Sequence, residues 1–345
     1  MPRERLRGIF TPNMVPLDSR GRINEGELRR LVEFLIQRGV HGLYPNGTMG
    51  EFVRFSFEEH KEIVRIVVDQ NRGRAKVLAG AAEFSLEKTL AACEYYAELG
   101  CDTVAVVPPW YYRLSQESVY EHFATLARHS PIDITLYNIP QFTNNEISID
   151  VLKRLVELPR IVAIKDSSRD MPRFLNTINE VRPLRPDFSF LIGCEEILVP
   201  TLLMGGDGGT VATAGVVPEV VVEMFRCVER GDFPRAVALQ YRVLHLINTM
   251  LFGAGFPEGF RAAMELRGFR MGESRQPLAP GERCNIEALR QVLHELLKEF
   301  DPDPLVPPPP VSPVCATQAA ANLSEEQVRA VVREVLLRLR QEGSR

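Results

Sequence analysis

The chain has 345 residues, 45% of them hydrophobic and 25% charged, with a formal charge of -4 and a pI near 6.0. That is the composition of an ordinary globular sequence with apolar residues for one large core or two modest ones, and it gives no reason to expect nucleic acid or an anionic membrane as partner. No apolar run approaches a membrane span, Met1-Pro2-Arg3-Glu4-Arg5 lacks a signal-peptide core, and the six cysteines form no C-x-x-C pair and the histidines no H-E-x-x-H, so a cytoplasmic protein without a catalytic metal is expected.

In chain order, short apolar runs alternate with amphipathic stretches of helical length. Strands are expected near Gly8–Pro16, Gly42–Asn46, Lys76–Gly80, Thr103–Pro108, Ile132–Asn138, Ile161–Lys165, Phe188–Gly193 and Gly209–Thr213. Between them lie expected helices at Asn24–Arg38, Ser56–Asn71, Ser85–Leu99, Ser115–His129, Ile149–Glu157, Met171–Val181, Glu195–Met204 and Pro218–Arg230. Several open on a Ser, Asn or Pro suited to a helix start. Eight strands, each followed by a helix, predict an α/β fold: a (β/α)8 TIM barrel over residues 1–230. An open doubly wound sheet is the runner-up, but no G-x-G-x-x-G follows the first strand.

Segments around Pro234–Leu251, Pro257–Gly268 and Ile286–Phe300 predict a C-terminal helical extension over 231–300. The composition then changes. Residues 301–322, proline-rich from Asp301 to Pro313, are expected to form an extended linker. Residues 323–345 predict an amphipathic helix, with Val328, Val331, Val332, Val335, Leu336 and Leu339 on one face and Ser324 with Gln327 as a capping-box start.

The residues able to do chemistry collect at the carboxyl ends of the expected strands, the rim where β/α barrels build their sites. Gly47-Thr48-Met49-Gly50-Glu51 follows the second strand, Trp110-Tyr111-Tyr112 the fourth and Gly193-Cys194-Glu195-Glu196 the seventh. Tyr137-Asn138-Ile139-Pro140 ends the fifth, and Lys165 ends the sixth. Taken alone, Lys165 reads as a solvated strand end paired with Asp166. Its company at one rim turns the reading toward covalent catalysis, because an amine held out of water can be neutral and neutral amines attack carbonyls. The resulting Schiff base makes the carbonyl carbon an electron sink and stabilises an adjacent carbanion as an enamine. Tyr137 can give and take the protons, Thr48 can relay them, and the Thr48 and Met49 amides can bind the carboxylate of a 2-oxo acid. Singly, Tyr137 reads equally well as a core tyrosine, and G-T-M-G as only a tight turn.

In order and spacing, Gly47-Thr48-Met49-Gly50-Glu51, Tyr137-Asn138-Ile139-Pro140, Ile164-Lys165-Asp166, Gly193-Cys194-Glu195-Glu196 and Gly272-Glu273-Ser274-Arg275-Gln276-Pro277-Leu278 resemble the class I pyruvate aldolases of the dihydrodipicolinate synthase and N-acetylneuraminate lyase superfamily. The resemblance covers about residues 5–300. It implies a barrel with a helical extension, assembled as a homotetramer from two dimers, acting on pyruvate and an aldehyde without a cofactor. It makes Lys165 the Schiff-base lysine, Tyr137 the proton-transfer tyrosine and Thr48 part of the hydroxyl relay. Tyr111 matches the tyrosine that in the synthases reaches a neighbouring subunit's site, and Gly193 and Thr210 join the expected substrate-binding residues. Met49 stands where the synthases carry a second threonine. Phe142 stands where they use an arginine to hold the carboxylate of aspartate semialdehyde, which an apolar ring cannot do. Glu195 and Glu196 match an acidic pair that in the lyases faces substrate hydroxyls, or else only start the following helix. Trp110 and Phe142 can form an apolar wall for an aromatic aldehyde.

The expected function is therefore a lyase that reversibly joins pyruvate to an aldehyde on Lys165. Alternatives are a 2-keto-3-deoxy sugar acid dehydratase or an aromatic hydratase-aldolase on the same lysine, a true 4-hydroxy-tetrahydrodipicolinate synthase, which Phe142 argues against, and a catalytically silent binding barrel. The tail at 323–345 resembles the encapsulation peptides that carry enzymes into bacterial microcompartments, by docking on shell or other cargo proteins; self-association in a coiled coil is the alternative.

Overall fold

A run such as Ile161-Val162-Ala163-Ile164 is apolar on both faces and needs cover on both, which a closed parallel barrel wrapped by helices supplies. A computed structural model describes residues 4–301 and 305. Apart from Asp301 and Leu305, the expected linker at 301–322 and all of the expected helix at 323–345 lie outside the described residues. The strands are β1 (Gly8–Pro12), β2 (Gly42–Tyr44), β3 (Lys76–Gly80), β4 (Thr103–Val106), β5 (Asp133–Asn138), β6 (Ile161–Asp166), β7 (Ser189–Ile192) and β8 (Gly208–Thr210). Each pairs in parallel with the next, and β8 closes on β1 through Gly8↔Gly208 and Phe10↔Thr210. The closed barrel displaces the open-sheet alternative.

The helices between the strands match the expected ones in order, and the capping side chains explain their starts. Asn24, Ser56, Ser85, Ser115, Ser148 and Asp170 each accept a hydrogen bond from an N–H of the first turn. Ser56 and Glu59 form a full capping box. Several boundaries differ from expectation by a residue or more, three of them with a local reason. β1 stops at Pro12, and Pro12 and Pro16 have no N–H to extend a ladder. β8 stops at Thr210, where the chain turns into the 3-10 segment Ala212–Gly215. The helix expected from Glu195 begins as a 3-10 turn, Glu195–Ile197, before Leu198–Leu203. A short helix at Pro140–Thr143, with proline at its first position, was not expected.

Two apolar clusters divide the interior. One fills the barrel axis, with Phe10, Tyr44, Leu78, Ala105, Tyr137 and Leu191; the other lies between strands and helices, with Ile134, Leu136, Ile161, Ile164 and Phe190. Residues alternate between them along β5, but β6 breaks step. Its pairing with β5 moves from Ile134↔Ile161 to Thr135↔Ala163, leaving Val162 as an extra residue. Val162 and Ala163 both belong to the axial cluster, so Ile164 faces the helices and Lys165 the axis.

The extension consists of helices Phe233–Phe252, Glu258–Leu266 and Ile286–Leu297. Gln240 fastens it to the seventh-strand loop by donating to the Glu195 carbonyl at 2.7 Å and accepting from the Val199 N–H at 2.9 Å. Arg261, buried, reaches the second-strand loop: Nη1 lies 3.0 Å from Glu51 Oε1 and 3.2 Å from the Val15 carbonyl, and Nη2 donates to the Gly272 carbonyl at 2.9 Å. Glu51 is also paired with Arg54 and takes a 2.7 Å hydrogen bond from Ser274. Among the described residues no helix is long and apolar enough to cross a membrane. Removing the guanidinium leaves Glu51 buried with a single cation, so Arg261→Ala is expected to cost about 3 kcal/mol, the low end for a broken buried pair because Arg54 remains. Urea unfolding followed by circular dichroism measures it, and a loss below about 1 kcal/mol contradicts the clamp.

Candidate active site

Register brings the expected catalytic residues together. Tyr137 on β5 pairs with Lys165 on β6, which pairs with Leu191 on β7. Lys165 is only 3% exposed, with Nζ 4.0 Å from the centre of the Tyr137 ring and 4.8 Å from that of Tyr44. Among the described residues no carboxylate lies within ion-pair distance of its amine. Asp166, its neighbour in sequence, faces the other way: its oxygens take hydrogen bonds from Asn138 Nδ2 at 2.7 Å, Ser168 Oγ at 2.6 Å and Arg173 Nη1 at 2.9 Å. The solvated Lys165–Asp166 pair is therefore not what forms.

The lysine arm passes Gly193. A Cβ there would stand 2.0 Å from Ser167 Oγ and 2.9 Å from Lys165 Cε, so a side chain at this position must displace the serine and crowds the lysine arm. Above Tyr137, the Thr48 hydroxyl lies 3.3 Å from the phenol oxygen, within reach for proton relay. Thr48, Met49 and Gly50 form a 3-10 turn whose leading N–H groups have no partner within the turn. Thr210 is buried and its hydroxyl has no hydrogen-bond partner among the described residues. Lys165, Tyr137, Thr48, Met49, Gly193, Glu195, Glu196 and Thr210 all line one cavity of about 340 Å³, and Phe142 lies on its edge.

Each member of the acidic pair has a protein partner. Glu195 Oε1 accepts the Thr213 N–H at 2.7 Å, and burial pushes its carboxyl up while that bond pulls it down. Glu196 pairs with Arg169 at 3.2 Å. Burial first, then the two carboxylates, push the Cys194 thiol up to about 12, away from the thiolate form. Tyr111 is not among the residues lining this cavity; it is 78% exposed with φ 81°. Among the described residues no group of three or more His, Cys, Asp or Glu side chains is arranged to hold a metal ion.

Tyr44, which no sequence motif marks, stands with its ring 6.3 Å from that of Tyr137 beside the amine. Burial, and secondarily Tyr137, raises the Tyr44 phenol well above its usual range, so it stays protonated. Its one signal is its place at the end of β2. Phe256 and Phe260 come from the extension and close the cavity wall, with nothing local in sequence to link them to the rim.

The chain is similar to known proteins over most of its length. The Dihydrodipicolinate synthetase family profile matches residues 5–296. A 4-hydroxy-tetrahydrodipicolinate synthase from Synechococcus sp. (strain JA-2-3B'a(2-13)) is 34% identical over 289 residues, covering 84% of this chain and 93% of the relative. The structure of the 4-hydroxy-tetrahydrodipicolinate synthase from Methylacidiphilum fumariolicum SolV superposes with a TM-score of 0.79 at 31% identity, covering 86% of this chain and 98% of that one. A prophage protein of the dihydrodipicolinic acid synthase family from E. coli K12, solved in complex with pyruvate, gives a TM-score of 0.78 at 26% identity, covering 84% of this chain and 98% of that one.

Because Gly193 leaves room for the lysine arm, Gly193→Ala is expected to displace Nζ by about an ångström and slow any reaction at the amine about 100-fold with the barrel still folded. Single-turnover trapping with a carbonyl compound measures it, and an unchanged rate shows the arm has slack.

Proposed function

This chain belongs to the dihydrodipicolinate synthetase family of pyruvate-dependent lyases, and from that premise we propose that it reversibly joins pyruvate to an aldehyde through a Schiff base on Lys165. The observation that carries the reading is the buried Lys165 amine, without a carboxylate partner among the described residues, set against the Tyr137 ring with the Thr48 hydroxyl beyond it. The lone pair of Nζ attacks C2 of pyruvate, and water leaves with protons passed by Tyr137 and Thr48. Loss of a methyl proton gives the enamine. Its C3 bonds to the aldehyde carbon, the aldehyde oxygen takes a proton, and hydrolysis frees a 4-hydroxy-2-oxo acid and the amine. The Thr48 and Met49 amides, with the unpartnered Thr210 hydroxyl, are suited to the pyruvate carboxylate and its neighbouring oxygen. Tyr111, exposed on a strained backbone, is left to meet a second copy of the chain, as the tetrameric assembly of the resemblance requires.

The relatives' name, 4-hydroxy-tetrahydrodipicolinate synthase, does not transfer directly. Phe142 occupies the position where the synthases hold the second carboxylate with arginine, and it leaves that anion without a partner. Beyond the barrel, we assign residues 323–345 as a microcompartment encapsulation helix carried on the proline-rich linker, on the strength of the apolar stripe from Val328 to Leu339 and the capping pair Ser324 and Gln327.

Borohydride reduction with pyruvate is expected to add one reduced pyruvyl group by intact mass, and none in Lys165→Ala; an adduct that persists in that variant sinks the assignment. A fluorescent protein carrying residues 301–345 is expected to gather in foci in cells making the matching shell, whereas diffuse fluorescence there refutes the tail assignment.

A further inference from the structure

A second cavity, of about 270 Å³, adjoins the lysine cavity and shares Thr48, Ile139, Phe142 and Phe256 with it. The space is several times the roughly 30 Å³ a water takes in the liquid. Its walls are nearly all apolar. Phe142 and Phe256 stand with ring centres 6.5 Å apart, and Trp110 packs 6.0 Å from Phe52 on the far side. Phe142 is 62% exposed, a large ring held at the mouth and not in a core. The charged side chains in the lining are Glu51 and Arg54, and they are paired with each other. Arg54 also donates to Ser274 at 2.7 Å, and the second cation on Glu51, Arg261, lies buried behind it, under the influence of Glu258 and Glu265 as well. No cation is left over among the cavity's described residues to receive a substrate anion.

Two features of the rim suit different aldehydes, and the geometry separates them. A polyhydroxylated aldehyde would call for Glu195 and Glu196, but these line the lysine cavity and not the second one, where one accepts the Thr213 N–H and the other pairs with Arg169. An anionic aldehyde would call for a cation at position 142, where there is a phenyl ring. We infer that the second cavity is the acceptor subsite and that it takes an uncharged aldehyde bearing an aryl or branched alkyl group. The inference rests on the Schiff-base reading. Pyruvate waits as the enamine on Lys165; its C3 attacks the aldehyde carbon near Thr48, the oxygen gains a proton, and the apolar substituent lies between Phe142, Phe256 and Trp110, shedding water from both surfaces.

The test is a ranking by kcat/KM in the full chain with pyruvate and four aldehydes, read by product mass: benzaldehyde, isobutyraldehyde, glyceraldehyde and succinic semialdehyde. Benzaldehyde or isobutyraldehyde is expected to exceed both polar aldehydes by about tenfold or more. Phe142→Arg, checked for folding by its melting temperature, is expected to lose on the apolar aldehydes and gain on succinic semialdehyde. The inference is overturned by a polar aldehyde ranking first in the unaltered chain, by failure of both apolar aldehydes to react, or by an unchanged ranking in folded Phe142→Arg. Borohydride trapping with pyruvate alone, on the same preparation, tells the two failures apart. An adduct on Lys165 without the apolar preference overturns the subsite only, and no adduct overturns the Schiff-base reading and the subsite with it.

Discussion

Everything at the rim depends on which way Lys165 points, and that is a matter of parity. In a strand successive side chains face opposite sides, so a closed barrel admits to its axis only every second residue. Counted strictly from Ile161, which faces the helices, Lys165 would fall on the helix side with it. The extra residue at Val162 shifts the count by one, and the lysine enters the barrel opposite Tyr137 while Asp166 turns out to Arg173. One bulge thus decides that the lysine, and not the aspartate that follows it, faces the axis, and so gives each its own set of partners.

That separation has an energetic side. A long side chain keeps a buried position only where the surrounding packing leaves it no better rotamer. Two aromatic faces and the glycine at 193 supply that packing. The same region carries its cost in backbone conformation: Glu51 sits at φ 55°, outside the comfortable range for a glutamate, held there by Arg54, Ser274 and Arg261. Because Arg261 belongs to the extension, the turn bearing Thr48 is anchored by a segment more than two hundred residues further along the chain.

The cavity has two halves of different origin. The half around Lys165, Tyr137, Thr48 and Thr210 is built from strand ends, and its polar groups are positioned by the barrel's hydrogen-bond ladder. The half around Phe142 and Phe256 is built from the short helix after β5 and from the extension, where apolar contact and not hydrogen bonding sets the wall. The first half can stay constant while the second changes, since Phe142 lies outside the strands and replacing its ring disturbs no ladder bond.

The alternation of apolar runs with amphipathic stretches was enough to read the barrel, its eight strands and their helices, because burial on both faces and a helix stripe leave local marks. The capping residues marked most helix starts, and the lysine, tyrosine and threonine could be named because chemistry of that kind needs those side chains at strand ends. What the sequence could not convey was direction and company. The parity shift at Val162, the place of Tyr44 beside the amine, the engagement of Glu195 with Thr213 and the closing of the wall by Phe256 all depend on pairing between distant segments, and no periodicity within one segment records them. Local sequence determines which face of an element is apolar; only the closed sheet decides what that face meets.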